Sequence, residues 1–363
     1  MRRLRVTARS FHYDVVVGQG AWRALRRLPP YSSVFVLTER KLWNRWGKAF
    51  VRQSGLTSGP PLFVPAGEQS KSLPMVEDVA SRLLKQGADR RTLLVAFGGG
   101  VVGDLGGFVA STYMRGIDCV QVPTTVVAQV DSAIGGKTGV NVGTMKNLVG
   151  TFYPPRLVLA DPIVLGSLGW RTFRSGLYEV VKHAILDGPG FFHLLEARIG
   201  SLRPGQGAAL ESILARAAQV KVEVVSRDER EAGLRRVLNL GHTFGHALEE
   251  ATAYRRFLHG EAVGWGLLAV TRLAELLGVL KPAEAGQIAR MVRQVGPLPP
   301  IRDLAASRVL ALLPQDKKAV GGRIHWVLPQ RIGKVKIVND VPLQLAATAL
   351  REVQRGPDPS VRG

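Results

Sequence analysis

The sequence has a single cysteine, few acidic residues and no long apolar run. With only Cys119, the chain can form no internal disulfide, which favours a reducing compartment. Its long uncharged runs, such as residues 92–103, are far shorter than the roughly 20 residues that cross a bilayer. The first residues, MRRLRVTARSFHYD, are basic but lead into no apolar stretch, so no signal peptide is predicted. The sequence therefore indicates a globular cytoplasmic protein with no membrane partner.

Acidic residues are scarce relative to basic ones, since 28 Asp and Glu face 49 Lys and Arg, for a net charge of +21. Such an excess suits a nucleic-acid binder, through phosphate contacts, or an enzyme whose substrate is a small anion. The basic residues are spread along the chain, without a block of five or six and without interleaved aromatic residues. We therefore predict a small anionic substrate and no nucleic-acid partner. A nucleic-acid-binding protein would instead bind any duplex in a salt-sensitive way and ignore chelators.

The chain is long enough for two domains, and its pattern changes near residue 165. Before that point, short apolar runs alternate with helix-length segments, which is typical of buried parallel strands in a doubly wound α/β domain. The predicted strands are 13–18, 33–38, 61–65, 92–97, 119–123 and 156–161, and the helices between them include 42–54 and 74–86. After it, helical spacing dominates. The predicted helices there are 173–186, 207–227, 241–252, 260–277 and 283–295, followed by a small hairpin that turns at 330–333.

A glycine cluster follows one predicted strand and precedes a helix, in the stretch TLLVAFGGGVVGDLGGFVA. Gly98, Gly100 and Gly103 match G-x-G-x-x-G, whose glycines let a pyrophosphate approach the backbone N–H groups that open the helix. The pattern by itself is weak, because it does not follow the first strand and glycines can merely let a helix pack on a sheet. We favour a dinucleotide bound in a non-Rossmann arrangement, with Glu39 as a candidate acceptor for ribose hydroxyls.

Three of the seven histidines lie within eighteen positions in the second half of the chain. His242 and His246 share a helix face, His259 opens the next predicted helix, and Glu179 lies upstream. Two histidines and one carboxylate form a ligand set of catalytic zinc sites with an open fourth position. Thr243 stands where H-E-x-x-H requires Glu, which disfavours a zinc protease. Spacing alone favours the pair His242 and His246, but it leaves open which histidines bind metal, or whether they are ordinary polar residues.

The segment 121–147 contains few residues that build an ordinary core. Small, hydroxyl and glycine residues surround two acceptors and two lysines, an arrangement that can present N–H groups and ammonium groups to an anion. A flexible surface loop is the alternative. The candidate residues are Asp131, Lys137, Lys146 and Asn147, and further cations elsewhere are Arg115, Lys221, Arg235 and the lysines at 317–318.

Seven sequence blocks in fixed order over residues 60–330 resemble the 3-dehydroquinate synthase family. They are GGGVVGDLGGFVASTYMRG, QVPTTVVAQVDSAIGGKTGVN, KNLVGTFYPP, GLYEVVKHAI, DEREAGLRRVLNLGHTFGHALE, LHGEAV and DKK. The resemblance implies an N-terminal doubly wound NAD-binding domain (1–165) and a C-terminal helical metal-binding domain (166–363), with the active site between them and usually a homodimer. It implies conversion of 3-deoxy-D-arabino-heptulosonate 7-phosphate to 3-dehydroquinate and phosphate, by transient oxidation with NAD, β-elimination, reduction and aldol closure.

The resemblance also carries site residues over, position by position. The metal ligands, for Zn²⁺ or Co²⁺, fall on Glu179, His242 and His259, which replaces the pairing that spacing favours. The NAD contacts fall on Gly67, Glu68, Lys71, Gly100, Val101, Val102, Gly103, Asp104, Thr124, Thr125, Lys137, Lys146, Val164, Leu165, Gly166 and Ser167. The substrate contacts fall on Arg115, Asp131, Asn147, Lys182, Lys221, Arg235, Asn239, His246 and Lys317. The catalytic set comprises Lys137, Glu231, Arg235, Asn239 and His246.

Two neighbouring activities share these features. Another sugar phosphate cyclase, acting on sedoheptulose 7-phosphate or glucose 6-phosphate, would keep NAD, zinc and the fold but alter the contacts to the substrate carboxylate. The presence of Lys221, Arg235 and Asn239 argues against it. A glycerol-dehydrogenase-like oxidoreductase would accumulate NADH on a simple polyol.

Overall fold

The structure is a computed structural model that describes residues 1–143, 145–313 and 324–356. Its strands are β1 (Arg2–Thr7), β2 (His12–Val17), β3 (Ser33–Glu39), β4 (Leu62–Val64), β5 (Thr92–Gly98), β6 (Asp118–Pro123), β7 (Lys137–Val142), β8 (Met145–Phe152), β9 (Leu157–Ala160), β10 (Trp326–Arg331) and β11 (Lys334–Val338). Its helices are α1 (Arg40–Ser54), α2 (Leu73–Lys85), α3 (Gly100–Thr112), α4 (Trp170–Asp187), α5 (Pro189–Arg198), α6 (Ala208–Arg227), α7 (His242–Ala251), α8 (His259–Leu276), α9 (Pro282–Val295), α10 (Ala306–Leu312) and α11 (Leu343–Arg355).

Internal contacts divide the chain into two compact units. The first unit comprises residues 1–173 and 202–230, and the second comprises 174–201 and the residues from 231 onwards. Helix α6 therefore belongs to the first unit although it follows a segment of the second. The units are thus discontinuous in sequence, unlike the predicted domains 1–165 and 166–363.

The first unit is built on a seven-stranded sheet in the order β1-β2-β9-β6-β5-β3-β4. All neighbouring strands run parallel except the edge pair β1 and β2. The six predicted strands and the helices α1 and α2 are confirmed to within two residues. Strand β1 and the antiparallel hairpin β7–β8 were not predicted, because arginines interrupt the first and glycines the second.

Helices cover both faces of this sheet, because each buried strand carries apolar residues on both sides. Leu94 and Ala96 of β5 pack with Leu105 of α3 in one core. On the opposite face, Phe97 of the same strand stacks on Phe50 of α1, with ring centroids 4.8 Å apart. Alternate residues of one strand thus enter two cores, which is the doubly wound arrangement that the apolar runs predict.

The second unit is mostly helical, as predicted. The predicted helices that became α4, α7, α8 and α9 are confirmed to within three residues, whereas α5, α10 and α11 were not predicted. The late hairpin is confirmed, since β10 and β11 pair antiparallel. Among the described residues, no helix is both long and apolar enough to cross a membrane.

Candidate active site

The glycine cluster lines a cavity in the first unit. Strand β5 ends at Gly98 and α3 begins at Gly100, so the first turn of the helix faces the space after the strand. A Cβ on Gly103 would lie 2.8 Å from Oε1 of Gln121, whose Nε2 donates to the Gly103 carbonyl at 3.0 Å. Lys137, at the start of β7, lines the same cavity. This is the form of a site that binds a phosphate through backbone groups.

A buried lysine connects several of the predicted cofactor residues. The ammonium of Lys71 lies 2.6 Å from Asp104 Oδ2 and 3.6 Å from Glu68 Oε1, and it also donates to the side-chain oxygen of Asn147. Burial lowers the pKa of Lys71, but the carboxylates of Asp104 and Glu68 raise it, and the net shift is upward. Asn141, which the sequence analysis did not single out, joins the cluster by donating to Glu68 Oε1 at 3.0 Å. The cluster holds its cation charged at neutral pH.

The remaining predicted cofactor residues lie at strand ends of the first unit. Thr124 follows β6 and donates its backbone N–H to the Gly98 carbonyl at 2.9 Å, and the Thr125 hydroxyl accepts from the N–H of Ala128. Residues 162–167 form a 3₁₀ turn directly after β9, in which Ser167 accepts from the indole N–H of Trp46 at 2.9 Å. Its other predicted members are Val164, Leu165 and Gly166. Glu39 ends β3 half-buried, and burial raises its pKa.

Three predicted site residues adopt a backbone conformation that L-residues rarely take. Arg115 has φ +68°, Asn147 +52° and Glu231 +61°. Only three other described non-glycine residues have positive φ. Such strain often marks a side chain that the fold holds in place for a function.

Glu179, His242 and His259 converge in the second unit. Each residue offers a ligand atom, and the three atoms lie within 4.8 Å of one another. Oε1 of Glu179 is 3.5 Å from Nε2 of His242 and 3.3 Å from Nε2 of His259. The other carboxylate oxygen, Oε2, lies 2.5 Å from the ammonium of Lys182, one helical turn along α4. One oxygen of the Glu179 carboxylate thus faces both imidazoles, while the other oxygen forms an ion pair with the buried ammonium of Lys182.

Two glycines of α8 bring these three side chains together. A Cβ on Gly260, next to His259, would lie 1.8 Å from the Ser175 carbonyl, one turn before Glu179 on α4. A Cβ on Gly266 would lie 1.8 Å from the carbonyl of Gly241, the residue before His242. Because glycine has no Cβ, only glycine permits these two close backbone contacts. The contact at Gly260 brings His259 close to the helix that carries Glu179, and the contact at Gly266 brings α8 close to the residue before His242.

The second nitrogen of each imidazole also has a partner. Nδ1 of His242 lies 3.3 Å from the backbone carbonyl of Leu240. Nδ1 of His259 lies 3.2 Å from Oε2 of Glu249, a residue of α7 that is only 4% exposed. Although burial lowers it, the carboxylates of Glu249 and Glu179 raise the pKa of His259 to about 10. Both histidines therefore direct Nε2 towards Glu179, as paired ligands of one ion would.

His246 lies beside the donor set rather than in it. Its ring centroid is 5.3 Å from that of His242, with the rings nearly perpendicular. Among the described residues, no converging set of three donors contains both histidines, whereas His246, Glu249 and His259 form a second set. The pair that spacing favours is therefore wrong as a shared ligand set.

Four cations are buried among the residues that the structure describes, and all four are predicted site residues. Lys71 and Lys221 belong to the first unit, and Lys182 and Arg235 to the second. Lys221 of α6 forms an ion pair with Asp131, which lies in a short π-helical turn after β6. A buried charge is costly unless it is paired, and three of the four cations face carboxylates: Lys71 faces Asp104, Lys182 faces Glu179, and Lys221 faces Asp131.

Glu231 and Asn239 also contact each other, since the amide of Asn239 donates to Glu231 Oε1 at 2.9 Å. Lys317 lies outside the described residues. The sequence analysis missed Gln121 and Glu249, both buried and both in contact with predicted site residues. A polar residue at an apolar position of a strand or helix was the only available signal.

Two family models match this chain one after the other. The family model described as the 3-dehydroquinate synthase N-terminal domain matches residues 61–175, and the C-terminal one matches 176–319. The 3-dehydroquinate synthase of Solibacter usitatus is 43% identical over 344 residues, 93% of this chain and 96% of the relative.

Two solved structures share the fold. The 2-epi-5-epi-valiolone synthase ValA of Streptomyces hygroscopicus, solved with NAD⁺ and Zn²⁺, is 32% identical, with a TM-score of 0.86 over 98% of this chain and all of that one. A 2-deoxy-scyllo-inosose synthase solved with carbaglucose-6-phosphate, NAD⁺ and Co²⁺ is 24% identical, with a TM-score of 0.85 over 97% and 99%.

The fold is thus that of synthases solved with NAD⁺ and a divalent metal ion. One family accounts for the match among such synthases. Its two models adjoin at residue 175, and a relative from this family aligns over nearly its whole length. The chain belongs to the 3-dehydroquinate synthase family. It is therefore an enzyme, a phosphate-eliminating carbon–oxygen lyase.

Proposed function

We propose that this chain converts 3-deoxy-D-arabino-heptulosonate 7-phosphate to 3-dehydroquinate and phosphate with NAD and a divalent ion, Zn²⁺ or Co²⁺. The observation that carries the proposal is the convergence of Glu179, His242 and His259, with both Nε2 atoms facing one carboxylate oxygen. Family membership supplies the reaction, and the two units supply the parts it needs.

The donor set fits a divalent metal, because two neutral imidazoles and one carboxylate are ligands that Zn²⁺ accepts. We assign the metal to Glu179, His242 and His259. A bound ion would polarise the substrate's hydroxyl oxygens and stabilise negative charge that develops on them. Lys182 forms an ion pair with the other oxygen of Glu179 and so helps to orient the carboxylate towards the two imidazoles.

The first unit supplies the binding groups for NAD. Bound NAD would supply reversible hydride transfer: the carbon that bears a substrate hydroxyl would lose a hydride while its O–H loses a proton, and the resulting ketone would acidify the neighbouring C–H bond until the hydride returns. The backbone N–H groups at the start of α3, from Gly100 to Asp104, suit its pyrophosphate. We assign the remaining contacts to the positions that the resemblance implies, namely Gly67, Glu68, Lys71, Thr124, Thr125, Lys137, Lys146, Val164, Leu165, Gly166 and Ser167.

Buried cations suit a substrate with a carboxylate and a phosphate. Lys221 and Arg235 are buried, and a charge-assisted hydrogen bond to an anion is strong where water is excluded. Their present partners, such as Asp131 for Lys221, hold them in position. We assign substrate binding to Arg115, Asp131, Asn147, Lys182, Lys221, Arg235, Asn239, His246 and Lys317.

Proton transfer falls to Glu231 and His246. The amide of Asn239 donates to Oε1 of Glu231 and keeps this carboxylate oriented as a proton acceptor. The side chain of His246 lies one turn from His242 on α7 and can exchange a proton beside the metal ligands. Lys137 and Arg235 would hold positive charge beside the substrate, and Asn239 completes the catalytic set by orienting Glu231.

Phosphate release tests the proposal directly. The purified protein, loaded with zinc and supplied with NAD, should release inorganic phosphate from 3-deoxy-D-arabino-heptulosonate 7-phosphate. Release should stop after chelation and return with Zn²⁺ or Co²⁺, and NADH should not accumulate, because each turnover restores NAD. No release from this substrate would refute the proposal. Preferential release from sedoheptulose 7-phosphate or glucose 6-phosphate would assign the chain to another cyclase.

We also propose a cytoplasmic homodimer. The lone cysteine, Cys119, is buried in β6, which suits a reducing compartment, and the dimer follows the family resemblance. Light scattering of the purified protein would measure the mass in solution, and fractionation of cells would locate the protein.

A further inference from the structure

His259 lies between two carboxylates. Its Nε2 is 3.3 Å from Oε1 of Glu179, and its Nδ1 is 3.2 Å from Oε2 of Glu249. Glu249 is 4% exposed and lies two turns after the start of α7, whereas His259 begins α8. A buried carboxylate at this position demands an explanation, because burying a charge is costly without a specific partner.

The chemistry of imidazole assigns different tasks to the two nitrogens. An ionised carboxylate can only accept a hydrogen bond, so Nδ1 of His259 must carry the proton towards Glu249. Without an ion, both ring nitrogens face carboxylates and both can carry a proton. An ion at Glu179 would take the place of the Nε2 proton, so Nε2 would offer its lone pair while Nδ1 keeps the proton that Glu249 accepts. Glu249 therefore selects the tautomer that a metal ion at Glu179, His242 and His259 requires.

The same contact argues against Glu249 as a ligand. His246, Glu249 and His259 also offer atoms within 4.8 Å of one another. An ion there would compete with the Nδ1 proton that Glu249 accepts. An ion between the two Nε2 atoms and Glu179 leaves that hydrogen bond intact.

The two histidines differ in what orients them. Nδ1 of His242 faces a neutral backbone carbonyl, that of Leu240, whereas Nδ1 of His259 faces a carboxylate. A carboxylate accepts the Nδ1–H hydrogen bond more strongly than a neutral carbonyl does. The stronger hydrogen bond makes Nε2 of His259, the metal-binding nitrogen, more basic.

We propose that Glu249 is a positioning residue that orients His259 and raises its affinity for the metal ion. This inference rests on the metal site of the proposed function. It assigns to Glu249 a role in metal affinity, and none in contact with substrate.

Zinc affinity, measured by competition with a chromogenic chelator, tests the inference without reference to activity. Glu249→Ala should raise the dissociation constant about 10- to 100-fold, as loss of such outer contacts does. Glu249→Gln keeps an oxygen that can accept from Nδ1 but loses the charge, so its loss should be smaller than that of Glu249→Ala. Glu250→Gln removes the same charge from the next residue of α7 and should bind zinc within about twofold of the wild type.

A spectroscopic measurement separates orientation from a general loss of structure. In zinc-loaded protein with ¹⁵N-labelled histidine, the Nδ1–H signal of His259 should shift in Glu249→Gln while that of His242 stays in place. Equal shifts of both signals would mean that the substitution disturbs the helices, and this result would overturn a specific role.

Two ligand variants keep the inference and the proposed function separable. If Glu179→Gln and His242→Ala lose zinc while both Glu249 variants bind it as the wild type does, the inference is wrong and the metal site stands. If Glu179→Gln keeps zinc and His246→Ala loses it, the ion sits in the second donor set and both assignments fail. Should Glu249→Ala not fold, the near-isosteric Glu249→Gln decides.

Discussion

The two units prepare binding groups from different parts of the chain. The first unit offers backbone N–H groups that glycines leave open at the start of α3, in a cavity that Lys137 also lines. The second offers side chains, namely two imidazoles and a carboxylate on three helices. A backbone site is damaged by adding atoms, whereas a side-chain site is damaged by removing them. Substitutions of the binding groups themselves should therefore have opposite requirements: an added atom damages the first site, and a truncated side chain damages the second.

Truncating a metal ligand should give the largest effect. We expect His242→Ala to lose bound zinc and to lower phosphate release by a factor on the order of 10³ or more, because a bound ion supplies several kcal/mol of charge stabilisation. Metal analysis and phosphate release measure the two losses. His193→Ala, which truncates a histidine with a 60% exposed side chain, is the matched control. If NAD affinity fell in parallel, the binding groups of the two units would not be independent of each other.

A glycine substitution in the second unit should damage packing. Gly266→Ala places a Cβ against the Gly241 carbonyl, and backbone cannot move aside as a side chain can. We expect the free energy of unfolding to fall by at least about 3 kcal/mol and zinc affinity to fall with it. Gly190→Ala meets no atom within 4 Å and serves as the control for denaturant unfolding. Equal stability of the two variants would contradict the close approach of α8 to α7.

A glycine substitution in the first unit should act on NAD instead. Gly103→Ala brings a methyl group to 2.8 Å from Gln121 Oε1 and disturbs the first turn of α3. We expect NAD to bind about tenfold more weakly, which is within the cost of overpacking, while zinc content is unchanged. Gly169→Ala, with open space around it, is the control. Quenching of the protein's tryptophan fluorescence during a titration with NAD measures the change. An unaltered affinity would mean that the start of α3 does not contact NAD.

The smallest effect concerns Cys119, which reports on the first unit alone. Burial, with a further contribution from Asp118, raises the pKa of its thiol to about 12. The reactive thiolate is therefore scarce up to about pH 10, and iodoacetamide should label the native protein far more slowly than the unfolded chain. Labelling should remain slow in Gly266→Ala, where the damage lies in the second unit. Fast labelling there would show that the two units unfold together.

Much of the fold could be predicted from the sequence because its signals are local. Apolar runs on both faces predicted the parallel strands β2 to β6 and β9, and helical spacing predicted α4 and α6 to α9. Strand β1 was missed because its residues, RRLRVT, are rich in arginine and mostly exposed, and so lack the continuous apolar run of the buried strands. Hairpin β7–β8 was missed because Gly139 and Gly150 face each other across the strands, where only glycine fits, and glycine indicates a turn.

The candidate site divides in the same way. The glycine pattern and the clustered histidines are visible in one dimension, so the sequence indicated a phosphate-binding loop and a metal site. Spacing favoured His242 with His246, because residues four apart share a helix face. The resemblance named His259 instead, and the structure brings it to Glu179 through contacts with residues far away in sequence.

Residue types and short spacings were enough to indicate the kinds of chemistry present: a glycine loop for phosphate, imidazoles for a metal ion, and an excess of positive charge for an anion. The folded chain was needed to show which imidazole nitrogen faces Glu179, which cations are buried, and that Glu249 contacts His259. Those facts depend on helix contacts between residues distant in the chain, and close packing at glycines such as Gly260 and Gly266 fixes them.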